Sequence, residues 1–110
     1  MERCCTPISD VMSEAEADQT AGLLKVVADP ARLRILSMLA RAPDLEICVC
    51  DLIDPLNLSQ PTVSHHMKVL REAGFTSSER RGKWVYHRLE PERLEEVRTA
   101  LAVPAGAVRS

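Results

Sequence analysis

Aromatic side chains are nearly missing from this 110-residue chain: one Phe, one Trp and one Tyr make up 3% of it. A core is therefore expected from Leu, Val, Ile, Met and Ala, which the 45% hydrophobic content can supply. Apolar runs are short, so no bilayer-spanning helix is expected. The opening "MERCCTPISD" has none of the apolar stretch of a secretory leader. No Gly-rich phosphate loop occurs, and no Ser-His-Asp arrangement is suggested by spacing. His65 and His66 are adjacent, not four apart as two metal ligands on one helix face would be. An enzyme reading is left without support. The expectation is a single cytoplasmic domain with no membrane partner, small enough that burying further apolar surface in a homodimer would help it.

Net charge is also low, at −2, but it is unevenly spread. Residues 65–88 carry Lys68, Arg71, Arg80, Arg81, Lys83 and Arg88 against only Glu72 and Glu79, a local +4, while the remainder sums to −6. A basic patch on an acidic background is a focused electrostatic footprint for a polyanion.

What is present is mostly helical patterning. Residues 1–12, with Cys4 and Cys5, read as a mobile arm, and 105–110 as a frayed tail around a domain at 13–104. Ser13 and Glu16 form a capping-box signature for a first helix. Asp29-Pro30 reads as N-cap and first residue of a second helix, with Leu33, Leu36, Leu39 and Ala40 on its core face. A short helix is expected from Cys48 to about Leu56. Asn57-Leu58 then makes a tight connection to a helix capped by Ser59 and closed by Gly74. Two helices so joined are a helix-turn-helix. "TSSERRGKWVYHRLE" reads as a β-hairpin turning at Gly82, and "PERLEEVRTALAV" as a last helix with Leu94, Val97 and Leu101 on one face.

At about 100° per residue, Met67 and Leu70 fall within about 40° of Val63 on the helix from Ser59, which makes them its buried stripe. Ser64, His65, Lys68 and Glu72 lie opposite, with Gln60 and Arg71 at the flank. Gln60, Thr62, Ser64, His65, Lys68 and Arg71 are therefore candidates for reading double-stranded DNA, and hairpin residues Arg80, Arg81 and Lys83 for its phosphates. A solvated polar face would explain the helix taken alone. The tight turn before it and the basic hairpin after it favour DNA. His66 sits at the edge of the buried stripe and reads as a structural or network residue. His87 reads as a surface histidine.

All four cysteines fall into two pairs, Cys4-Cys5 and Cys48-Val-Cys50. In a regular helix Cys48 and Cys50 would differ by about 200° and point to opposite sides. A helix N-terminus would lower a thiol pKa there and favour thiolate. Buried packing cysteines are one reading. A thiolate site for a soft ion is another, and a redox-switched disulfide between arm and helix a third.

With "ADPARLRILSML", "EICVCDL", "LSQPTVSHHMKVLREAGF" and "RRGKWVYHRL" in that order, the chain resembles the arsenical-resistance repressor (ArsR/SmtB) family of metal(loid)-responsive winged-helix repressors over about residues 20–100. The resemblance implies a mainly α fold with a β-hairpin wing, a winged helix-turn-helix of five helices. It implies a homodimer joined by first and last helices, with two recognition helices in successive major grooves of a palindromic operator. The apo dimer represses, and binding of an inducer releases it. Members with "CVCDL" hold trivalent arsenic or antimony there, or cadmium, lead or zinc. Many arsenic repressors carry a third cysteine where this chain has Ile53, so Cys4 or Cys5 would have to supply the third sulfur. The resemblance thus implies Cys4, Cys5, Cys48 and Cys50 as ligands, with trivalent arsenic or antimony as inducer and a four-thiolate cadmium or lead site as the alternative. The family's separate zinc site on the last helix uses Asp and His, which "PERLEEVRTALAV" lacks.

Overall fold

In the computed structural model, residues 11–104 are described, so Cys4, Cys5 and the tail from 105 lie outside it. The elements run α1 (Glu14–Val27), α2 (Pro30–Arg41), a 3-10 turn (Pro43–Leu45), β1 (Glu46–Cys48), α3 (Cys50–Leu56), α4 (Gln60–Glu72), β2 (Thr76–Arg81), β3 (Trp84–Leu89) and α5 (Pro91–Ala100). The strands form one antiparallel sheet in the order β1-β3-β2.

Local chemistry sets the boundaries. Ser13 and Glu16 close a reciprocal capping box at the start of α1. Asp29 caps α2 through the Arg32 amide, and Pro30 begins the helix where a missing N–H costs nothing. Asn57, at φ 55°, ends α3 in the left-handed conformation that Asn tolerates. Ser59 caps α4 through the Thr62 amide. Gly74, at φ 85°, closes α4, and a Cβ there would sit 2.8 Å from the Arg93 side chain. Gly82, at φ 64°, supplies the hairpin turn.

The core gathers Ile35, Leu36 and Leu39 of α2, Leu52 and Leu56 of α3, and Val63, Met67 and Leu70 of α4. It is closed by Phe75 and Leu89. Two expectations are corrected here. The core is not purely aliphatic, because the single Phe is fully buried at the α4–β2 corner. The buried face of α2 is centred on Ile35, which leaves Leu33 53% exposed and Ala40 exposed. Helical spacing alone did not resolve which side of Leu36 the neighbours would cover.

A larger departure concerns residues 46–50. The helix expected from Cys48 begins at Cys50, and Glu46–Cys48 is a strand. It pairs with the hairpin, in the register Glu46↔Arg88, Ile47↔His87 and Cys48↔Tyr86. Val49 continues the contact by donating its amide to Val85 O at 2.9 Å. The wing is consequently a three-stranded sheet, and the first thiol belongs to it.

Candidate thiol site and nucleic-acid interface

Cys48 is the last residue of β1 and is buried, whereas Cys50 is the first residue of α3 and is exposed. Val49 turns the chain between them. Because the pair spans a strand-to-helix junction, the opposed side chains expected of a continuous helix do not arise. The two Sγ atoms meet at 2.9 Å, with Cys50 donating to Cys48. This proximity also reverses the expected acidity. The Cys50 thiol is pushed up to about 11 by its hydrogen bond to Cys48, by partial burial and by the Asp51 carboxylate. Among the described residues no group of three or more His, Cys, Asp or Glu side chains could hold a metal ion. The pair supplies two soft donors converging on one point.

Four residues after Cys50 the chain is still in α3, whose Leu52 and Leu56 are buried against the core. The tight turn at Asn57 then leads into α4. Val63, Met67 and Leu70 are all buried as the stripe predicts. Gln60, Thr62, Ser64, His65, Lys68 and Arg71 are all exposed on the other side. The Thr62 hydroxyl lies 2.9 Å from that of Ser59, so it takes part in the cap. His66 is half-buried and is a network residue: its Nδ1 lies 3.1 Å from Arg32 Nη1 and 4.0 Å from Asp29 Oδ2. Arg32 Nε also donates to Val26 O at 2.5 Å, so α1, α2 and α4 are tied at one point.

The wing places Arg80 and Lys83 in solvent, with Lys83 Nζ 5.2 Å from the centroid of the Trp84 ring. Arg81 behaves differently from the free phosphate contact expected of it. Its Nη1 and Nη2 reach the two Glu46 carboxylate oxygens at 2.9 and 2.7 Å. Glu79 accepts from Nε and Nη2 at 3.0 and 2.7 Å. Cζ stands 4.4 Å from the centroid of the Tyr86 ring, and the two carboxylates raise the guanidinium pKa still further. Arg80, Lys83 and Arg88 are the wing cations without a carboxylate partner among the described residues.

His87 is also corrected: it is 5% exposed, not a surface residue. Its Nδ1 has no hydrogen-bond partner among the described residues, and its pKa is lowered by burial and by nearby Arg71. It lines a small cleft between α4 and β3 with Gln60, Ser64 and Arg71. Period-2 alternation in β3 puts His87 on the same inward face as buried Leu89, against α4, so the signal for its burial was in the strand pattern and was outweighed by the polarity of the residue.

Comparison with known proteins fits this arrangement. The sequence model described as "Bacterial regulatory protein, arsR family" matches residues 29–78. An arsenical resistance operon repressor of Staphylococcus xylosus is 37% identical over 81 residues, covering 74% of this chain and 75% of that one. The chain belongs to the ArsR family. An arsenic resistance transcriptional regulator of Pseudomonas putida is 47% identical over 70 residues, which are 64% of this chain but 53% of that protein. The match thus spans about half the length of that relative. The crystal structure of the AntR antimony-specific transcriptional repressor superposes with a TM-score of 0.69 at 28% identity, over 89% of this chain and 92% of that one. These relatives are transcriptional regulators, not enzymes. The winged helix-turn-helix architecture is that of its ArsR-family structural neighbours. No helix of the described residues is long and apolar enough to cross a membrane.

Proposed function

We propose that this chain is a transcriptional repressor that binds operator DNA as a homodimer and lets go when trivalent arsenic or antimony is captured by its thiols. One observation carries the reading. Two sulfurs meet at 2.9 Å at the junction of the wing sheet and the first helix of the helix-turn-helix. Any ion held by both acts directly on the DNA-reading elements. The named functions of the Pseudomonas and Staphylococcus relatives support the same inducer class.

Trivalent arsenic binds thiolates and is satisfied by three. Cys48 and Cys50 would supply two, and Cys4 or Cys5, from the same or the partner subunit, the third. Gln60, Thr62, Ser64, His65, Lys68 and Arg71 would meet the major groove, and Arg80 and Lys83 the phosphates beside it. The dimer would form through α1 and α5. The groove between them is lined by Val11, Leu23, Ala100 and Ala102 together with Glu16 and Glu95, and Val11 is 71% exposed. Such a protein works in the cytoplasm, where its DNA is. Ion and DNA each weaken the other's binding by the same factor, as linkage requires.

The test is to titrate the reduced protein on its upstream DNA with arsenite and, separately, cadmium. Anisotropy follows DNA release, and thiolate-to-ion absorbance follows coordination. Release by arsenite with three thiols consumed is the expected result. Release by cadmium alone with four thiolates engaged would transfer the protein to the cadmium and lead sensors. Release only by a mild oxidant would make it a redox repressor.

A further inference from the structure

The wing cation Arg81 is held by the strand that carries the first thiol. Glu46 opens β1 two residues before Cys48, and its carboxylate grips Arg81 with both oxygens. The same guanidinium lies over Tyr86, and Tyr86 is the cross-strand partner of Cys48. The contacts close a ring: Cys48 to Tyr86 through the ladder, Tyr86 to Arg81 through the ring face, Arg81 to Glu46 through the ion pair, and Glu46 back along β1 to Cys48.

β1 is only three residues long, so its ladder is a weak attachment by itself. A two-point carboxylate–guanidinium contact fixes orientation as well as distance, which a single point charge would not. Stacking on Tyr86 removes a further rotation. With Glu79 as a second partner, the guanidinium is over-neutralised and turned towards the sheet.

We propose that Glu46 is a positioning residue that couples the thiol pair to the wing. It keeps Arg81, and with it the β2–β3 hairpin, in step with the strand carrying Cys48. Drawing Cys48 and Cys50 onto one ligand then moves the wing as well as α4. The proposal rests on the thiol pair being the inducer site. It adds a second route to DNA, parallel to the one through α3.

Glu46→Gln tests it, since the change keeps size and removes the charge without touching a thiol. Three quantities are compared with the wild type. The first is the salt dependence of DNA binding without ion. Release of Arg81 towards phosphate should steepen the log–log slope by up to about 0.9. The second is the factor by which arsenite or cadmium weakens DNA binding, which should fall at least threefold while thiolate-to-ion absorbance titrates as before. The third needs no DNA. Trp84 is the sole tryptophan and the cross-strand partner of Arg81. Its emission change on adding cadmium should be at least halved. A thermal or urea midpoint matching the wild type shows that the variant is folded.

Arg81→Gln and the double variant complete a cycle. If one pair carries the coupling, the double variant loses no more than either single one. Unchanged coupling and unchanged Trp84 response in Glu46→Gln, or additive losses in the double variant, would overturn the proposal. If neither ion releases the wild type, the inducer reading falls and the coupling with it. A steeper ion-free slope would then show only that Glu46 withholds Arg81 from DNA.

Discussion

Cys48 and Tyr86 face each other across the antiparallel pair of β1 and β3, so the thiol-bearing strand and the wing form one sheet. Cys50, two residues later, begins α3, the helix that precedes α4. One thiol thus belongs to the wing and the other to the helix-turn-helix. A ligand that bridges them must change, or resist changing, the angle between those two parts. Under the proposed function, that angle would set whether α4 and the wing engage a duplex at the same time.

Cys50→Ser follows most directly from this placement. The side chain is exposed, so the exchange should leave the fold intact. Even outer partners of a metal site cost about 10- to 100-fold when mutated, so a lost ligand should cost at least about 10-fold in ion affinity. Thiolate-to-ion absorbance would read that loss, and anisotropy without ion should show DNA affinity within about threefold of wild type. A variant that still released DNA at the wild-type arsenite concentration would remove Cys50 from the site.

The two kinds of DNA candidate should separate by salt and by sequence. Lys83→Ala removes an exposed wing charge and should reduce the salt slope by about 0.9 while weakening all duplexes alike. Gln60→Ala should shift preference at one base pair by about 1–3 kcal/mol with little change in slope. Competition assays over a panel of operator variants at several salt concentrations would distinguish them. A Gln60 variant that weakens every sequence equally would place that side chain on the backbone and not on a base.

Much of this fold was legible because its boundaries are written in short-range chemistry. The cap at Ser13 with Glu16, Asp29 before Pro30, Ser59 before Pro61 and the turn glycine Gly82 each act within a few residues. The α4 stripe of Val63, Met67 and Leu70 was legible for the same reason. β1 was not. Three residues show no alternation, and Glu46–Cys48 is a strand only because the edge of β3 lies alongside, some forty residues away in sequence. Two errors at the site follow from that one pairing, which brought the two sulfurs together and captured Arg81 with Glu46. The third, His87, was legible from its alternation with buried Leu89 and is covered by α4.

Leu70 ties α4 to the core, being fully buried in the cluster that includes Ile35, Leu52 and Phe75. Leu70→Ala should cost about 2–5 kcal/mol, the range for a buried leucine that leaves a cavity. Urea unfolding would show a lower midpoint at an unchanged slope if the native state keeps its compactness. DNA affinity should fall with the folded fraction and no further. A loss smaller than about 1 kcal/mol would mean that α4 repacks freely and is not rigidly seated.

His87 gives the stability of this chain a pH dependence with a definite sign. Burial first, and then the Arg71 charge, hold its pKa below the ordinary 6.5. The unfolded chain therefore binds a proton near pH 6.5 that the folded chain refuses. The stability associated with neutral His87 is fully present above about 6.5 and declines as pH falls towards the folded value, by at most about 1.4 kcal/mol per pH unit for one proton. The lowered carboxyls of Glu16, Asp29 and Glu95 act below their ordinary values of 4.5, 3.8 and 4.5, so they leave the interval from pH 5 to 6.5 to other groups. His87→Gln removes this titration, and its urea midpoint should vary less across that interval than the wild type's. Two parallel curves would show that the buried imidazole is protonated in the fold, and that Arg71 fails to keep it neutral.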